Sequence, residues 1–184
     1  MKFYAGIGSR KTPPEVLRAM TSIARTLDAV GYILRSGAAE GADSAFEAGA
    51  DPKRKEIWLP WHGFNMHTSP LLPSPEAFAL AAEVHPAWTR LSRGARALHA
   101  RNGCQILGAD LRTPVDFVVC WTPGGDGSGG TGQALRLAMR NGIPIFDLGL
   151  GDLSLQALKE HVHANWEPDM TLETDQGSFP EFRP

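Results

Sequence analysis

The chain has 184 residues, which is enough for one well-packed domain and short for two. Hydrophobic residues make up 42% and charged residues 21%, a balance that excludes a mainly disordered chain. With 18 Lys and Arg against 20 Asp and Glu the formal net charge is −2, which excludes a global positive field and requires that any polyanion be met by a local site.

Short apolar runs alternate with helical-period stretches from end to end. This rhythm predicts an α/β fold of the Rossmann-like, doubly wound kind, a mainly parallel sheet with helices on both faces. A single domain is expected over 1–166, followed by an irregular C-terminal tail over 167–184.

The first strand is predicted at 2–7 and runs into the turn Gly6-Ile7-Gly8-Ser9-Arg10. A helix follows over 13–30, with apolar residues Val16, Met20, Ile23, Ala24 and Leu27 at helical spacing, Thr12 as its N-cap and Gly31 as its stop. The second strand, 32–35, leads through Ser36-Gly37-Ala38-Ala39-Glu40-Gly41-Ala42-Asp43 into a helix over 42–50, and a third strand is placed at 56–59.

The stretch 60–75 holds four prolines and two histidines and is expected to be a long ordered loop. Residues 76–111 look helical, broken near Pro86. A fourth strand at 116–121 precedes Thr122 to Ala134, in which six glycines fall within nine residues from Gly124, and a helix is placed at 129–141. A fifth strand at 143–147 and a helix at 153–164 with Asp152 as its cap complete the pattern.

Three glycine-bearing segments thus lie directly after three strands, where an open α/β sheet places its ligand crevice. Backbone N–H groups at such turns face an anion, and Ser9, Arg10 and the Thr131 hydroxyl add donors. Asp43 suits a helix N-terminus as well as a hydrogen bond to a ribose or base. The Gly-Lys-Ser/Thr triplet of a Walker A loop is missing, so ATP hydrolysis is not expected.

His62 and His67 lack a third ligand at zinc spacing, and neither a metal nor a cofactor is expected. Trp58, Trp61 and Phe64 form an aromatic cluster in or beside the long loop that suits base stacking and core packing equally. Cys104 and Cys120 have neither disulfide nor metal spacing and read as buried thiols of a reducing compartment. The first residues lack a signal-peptide core and no apolar stretch is long enough to span a membrane, so a cytoplasmic location is expected.

Taken in order, these segments resemble the Rossmann-like core of the DprA family of DNA-processing proteins and the wider SLOG superfamily. Gly8-Ser9-Arg10 resembles the family's Gly-Ser-Arg turn. Ser36-Gly37-x-Ala39-x-Gly41-x-Asp43 is similar to its Ser-Gly-x-Ala-x-Gly-Ile-Asp signature. Arg101-Asn102 resembles the start of its Arg-Asn-Arg motif, and Ser128-Gly129 through Ala134 its last glycine turn. The resemblance implies an anion site lined by Gly8, Ser9, Arg10, Ser36, Gly37, Gly41, Asp43, Arg101, Asn102, Ser128, Gly129, Gly130 and Thr131. Its ligand would be a nucleotide or short single-stranded DNA, with Arg101 as the main charged contact.

Glu40 stands where the family often has a basic residue, Gly103 replaces the second arginine and Gln133 replaces a threonine; fewer cations suit a small nucleotide better than a DNA strand. The domains that flank the DprA core are not seen in the sequence. A stand-alone domain of the phage or bacterial type is therefore expected, a homodimer is compatible with it, and a role in DNA recombination through a recombinase does not carry over.

A second SLOG branch, the LONELY GUY-type phosphoribohydrolases, cleaves the N-glycosidic bond of nucleoside 5′-monophosphates. Ala134 stands where that branch has its glutamate, leaving Glu40, Asp43, Glu47 and Asp126 as substitutes for a catalytic carboxylate. An N-glycosidase is thus the alternative to a binding module, and a non-binding structural or regulatory subunit is the third reading.

Overall fold

Alternation along the strands explains how the sheet is covered. In the computed structural model, which describes residues 1–162, five strands β1 (Lys2–Gly6), β2 (Tyr32–Ser36), β3 (Lys55–Ile57), β4 (Phe117–Cys120) and β5 (Ile145–Asp147) form one sheet. Every pairing is parallel and the order is β3-β2-β1-β4-β5, which is the Rossmann-like arrangement.

Tyr4, Leu34, Phe117, Val119 and Phe146 point to one face, where they meet α1 (Pro14–Ala29), α2 (Ala42–Gly49) and α6 (Asp152–Val162). Phe3, Ala5, Val118 and Cys120 point to the other, against α4 (Arg93–Leu107) and α5 (Gly132–Arg140). α3 (Pro75–Val84) packs outside α4 around Trp58, Ala77, Ala81, Ala100 and Cys104. Each fully buried large apolar side chain contributes about 1.5–3 kcal/mol of transfer free energy. The interior strand β4, buried on both faces, is accordingly wholly apolar, whereas the edge strand β3 carries half-buried Lys55 and Glu56.

Several boundaries depart from the sequence expectation. α1 is capped by Pro13, with Pro14 in its first turn, and Thr12 instead donates its hydroxyl to the Ser9 carbonyl at 2.7 Å. The helix expected from residue 129 begins as a 3-10 turn, Gly129–Thr131, and becomes α-helical only at Gly132. Asp152 is the first residue of α6 rather than a cap preceding it. The break near Pro86 separates α3 from α4, with a 3-10 turn at Trp88–Arg90 between them. The expected tail over 167–184, and the end of the last predicted helix, lie outside the described residues.

Both cysteines are buried free thiols. Among the described residues no helix is long and apolar enough to cross a membrane, and no group of three or more His, Cys, Asp and Glu side chains is placed to hold a metal ion. From β1 the chain winds outward through β2 and β3, whereas β4 and β5 lie on the other side. The carboxyl ends of β1 and β4 therefore flank the topological switch point, where a crevice opens.

Candidate functional site

The turn after β1 is held by the neighbouring strand and by the turn after β2. Ser9 N–H donates to Trp121 O at 3.2 Å, and the Ser9 carbonyl accepts from Thr12 and Ala42. The third turn hangs from the end of β5: Asp147 Oδ1 accepts from Thr122 N and Gly149 N, both at 2.9 Å. The Thr122 hydroxyl donates to Asp147 Oδ2 and accepts from Gly127 N at 3.0 Å. A loop rich in glycine is thereby fixed at its root, while Ser128, Gly129 and Gly130 are exposed.

These turns enclose a cleft of about 490 Å³, lined among others by Gly8, Ser9, Arg10, Lys11, Asp43, Arg101, Asn102, Ser128, Gly129, Gly130 and Thr131. That volume lies within the usual range of about 300–1,000 Å³ for small-molecule sites. One wall is a single face of α4, where Ala95, Leu98, His99, Asn102 and Gln105 recur at helical spacing. The N–H groups of Gly129 and Gly130 open a helical turn and so lack intrahelical acceptors.

Behind the cleft runs a continuous chain of buried polar groups. Arg101, only 5% exposed, donates from Nη1 to Asp43 Oδ2 at 3.0 Å. Gln105 Oε1 accepts from Arg101 Nη1 at 3.1 Å and from Gly37 N at 3.0 Å, and Gln105 Nε2 donates to Asn102 Oδ1 at 3.1 Å. Asn102 Nδ2 donates to Gly130 O at 3.3 Å and to Gln133 Oε1 at 3.4 Å. Gln133 Oε1 also meets His99 Nδ1 at 3.1 Å. The Gly37 N–H can only donate and the Gly130 carbonyl can only accept, so the two ends fix the orientation of every amide between them.

Burial pushes the Asp43 carboxyl up, against the opposing pull of the Arg101 guanidinium and of the N–H groups of Ala39 and Gly8. Breaking such a pair by removing one partner leaves a buried charge uncompensated. Arg101 Nε–H is also buried and finds no acceptor among the described residues. An unpaired buried donor on a cationic side chain that lines the cleft is an unmet demand for an anion or polar acceptor.

The structure brings together Gly8, Ser9, Arg10, Asp43, Arg101, Asn102, Ser128, Gly129, Gly130 and Thr131, and it sets the other sequence-predicted residues apart. Ser36 is buried, its hydroxyl donating to Gly6 O at 2.7 Å. Gly37 lies behind the lining, against Arg101 and Gln105. Gly41, at φ +84°, packs on the backbone of Ser9 and Arg10.

Glu40 and Glu47 face a separate recess with His67, where Glu47 pairs with Lys55 at 2.8 Å and His67 at 2.9 Å. Asp126 accepts from Ser128 N at 2.8 Å and does not line the cleft. Nor do Trp58, Trp61 and Phe64 form one platform: Trp58 and Phe64 are buried, and only Trp61 is exposed. Lys11, His99 and Gln105 were not among the sequence-predicted residues. The spacing of 95, 98, 99, 102 and 105 on one helix carrying Arg101-Asn102 was the signal that reveals His99 and Gln105, and Lys11 follows the Gly8-Ser9-Arg10 turn directly.

No protein-family model matches the sequence, and no curated protein matches it. Two solved structures are similar to the chain. One is DNA processing protein A from Helicobacter pylori, described for its single-stranded DNA binding mode: 18% identity, TM-score 0.49, covering 89% of this chain and 74% of that one. The other is DprA from Streptococcus pneumoniae: 17% identity, TM-score 0.46, covering 86% of this chain and 56% of that one. A likeness at this level does not bear on function.

Proposed function

We propose that the cleft at the switch point binds the phosphate of a nucleotide or of a short single-stranded nucleic acid. The observation that carries this reading is the convergence of two glycine-bearing turns on a buried arginine with an N–H unsatisfied among the described residues. Among the described residues, Arg10 and Lys11 at the rim and Arg101 at the floor face a single lining carboxylate, Asp43, which Arg101 already occupies. The local balance is cationic although the whole chain is not, so the positive charge is concentrated where the N–H groups point.

Binding is favoured over N-glycosidase chemistry by the placement of the carboxylates. Of Glu40, Asp43, Glu47 and Asp126, only Asp43 lines the cleft, and it is committed to Arg101. Oxocarbenium stabilisation calls for a carboxylate free to face the sugar.

A thermal-shift titration with deoxythymidine 5′-monophosphate, ADP-ribose and a six-residue oligo-dT tests the reading. A ligand at about 100 times its Kd adds about 2.7 kcal/mol, or roughly 5–11 °C in a domain of this size. The shift is expected to shrink when Arg10 and Lys11 are both changed to alanine. Silence from all three probes at millimolar concentration would refute it, and free base appearing on chromatography would replace binding with hydrolysis.

A further inference from the structure

His99 sits on the cleft wall with a fixed tautomer. Gly130 O obliges Asn102 to present Nδ2, Asn102 Nδ2 obliges Gln133 to present Oε1, and Oε1 obliges His99 to donate from Nδ1. A neutral imidazole so held carries a bare lone pair on Nε2, and Nε2 meets no donor among the described residues. The lining carboxylate, Asp43, is already taken by Arg101, so the bare Nε2 acceptor shares the cleft with the cationic Arg10 and Lys11 and the N–H groups of Gly129 and Gly130.

Resting on the phosphate reading above, we infer that His99 is a proton-linked ligand contact. Nε2 takes a proton from solvent when phosphate enters, and the new N–H donates to a phosphate oxygen. The groups around the ring explain why the proton is absent beforehand. His85, just after α3, lies against it with ring centroids 4.5 Å apart and the rings tilted by 46°. Arg136 approaches from α5 and Arg101 from α4, and with burial leading and His85 adding to it, these groups hold His99 below the usual histidine range. Gln133 opposes them only in part. A phosphate supplies the negative charge that reverses this balance.

His99 also lies three hydrogen bonds from the glycine turn, through Gln133 and Asn102 to the Gly130 carbonyl. Proton and phosphate are thus received by one connected network. Because binding raises the histidine pKa, affinity is greatest at low pH. It falls, by up to roughly tenfold per pH unit, between the free and bound values.

The test is titration calorimetry of the wild type and of His99→Asn, whose side-chain amide N–H can still donate to Gln133. Six-residue oligo-dT and deoxythymidine 5′-monophosphate serve as probes, in two buffers of different ionisation heat and from pH 5.5 to 8. The expected result is one proton more taken up by the wild type than by His99→Asn, with the pH slope of affinity flattened in the variant. The difference between the proteins cancels protons gained by the phosphate monoester itself. Binding without extra proton uptake, or uptake that persists in His99→Asn, overturns the inference and leaves phosphate binding standing. Failure of both probes to bind overturns the phosphate reading and the inference with it.

Discussion

Replacing Gly37 by alanine tests the buried chain at its tightest point. A Cβ there would fall on Nη1 of Arg101 and lie 2.6 Å from the Gln105 amide. Nη1 ends a flexible side chain, but Arg101 is 5% exposed and held by Asp43 and Gln105, so it can yield only by giving up those partners. Breaking a buried ion pair costs about 3–5 kcal/mol, and the open cleft, which lets water reach the displaced guanidinium, puts the loss near the lower end, about 3 kcal/mol. At 2–4 °C per kcal/mol for a chain of 150–250 residues, Tm should fall by about 6–12 °C. The chain-entropy effect of Gly→Ala has the opposite sign, about 0.4–1 kcal/mol stabilising, and does not mimic this. Urea unfolding and calorimetry measure the loss, and Asp43→Asn in the Gly37→Ala background should recover part of it by removing the stranded charge. A Gly37→Ala protein melting within about 1 °C of wild type would refute the reasoning.

Cys104 is pushed up to about 11 by burial, and Cys120 well above the usual thiol range by burial and by Asp147. Neither thiol should react with Ellman's reagent at pH 8 until denaturant is added, and fast labelling of the native protein would contradict the packing. Glu47 is pushed up by burial, but Lys55 and His67 more than offset this and hold it below the ordinary glutamate value. Its contribution is therefore complete above the unfolded pKa and is lost as pH falls through the folded one. Urea unfolding from about pH 5.5 down to about pH 3 should show a smaller acid loss in Glu47→Gln than in wild type, and parallel curves would refute this.

The strands and their order of appearance were legible because a strand buried on both faces is a short apolar run, and five such runs stand between helical periods. The glycine turns were legible for the same reason, lying where each run ends. What the sequence concealed were distinctions of depth. Ser36, Gly37 and Gly41 stand in the same signature as Asp43 but support the cleft from behind, against Gly6 O, Arg101 with Gln105, and the Ser9–Arg10 backbone respectively. Glu47 was separated from the cleft by its pairing with Lys55 and His67, a contact across 8 and 20 residues that no local pattern encodes. His99, Gln105 and Gln133 were hidden because polar residues on a buried helix face read as breaks in a hydrophobic stripe, whereas here they bond one another.

The most direct test of the central claim is Gly130→Ala. A Cβ at Gly130 meets nothing within 4 Å and its φ is not in the left-handed region, so neither fold nor backbone requires glycine there. Close approach of a ligand to its N–H would require it. Calorimetric titration with inorganic phosphate and deoxythymidine 5′-monophosphate, beside a melting curve, separates the two. The account predicts a Tm equal to or slightly above that of wild type, with phosphate affinity weakened by at least about tenfold, or about 1.4 kcal/mol. Unchanged affinity for both probes in a stably folded Gly130→Ala protein would contradict it.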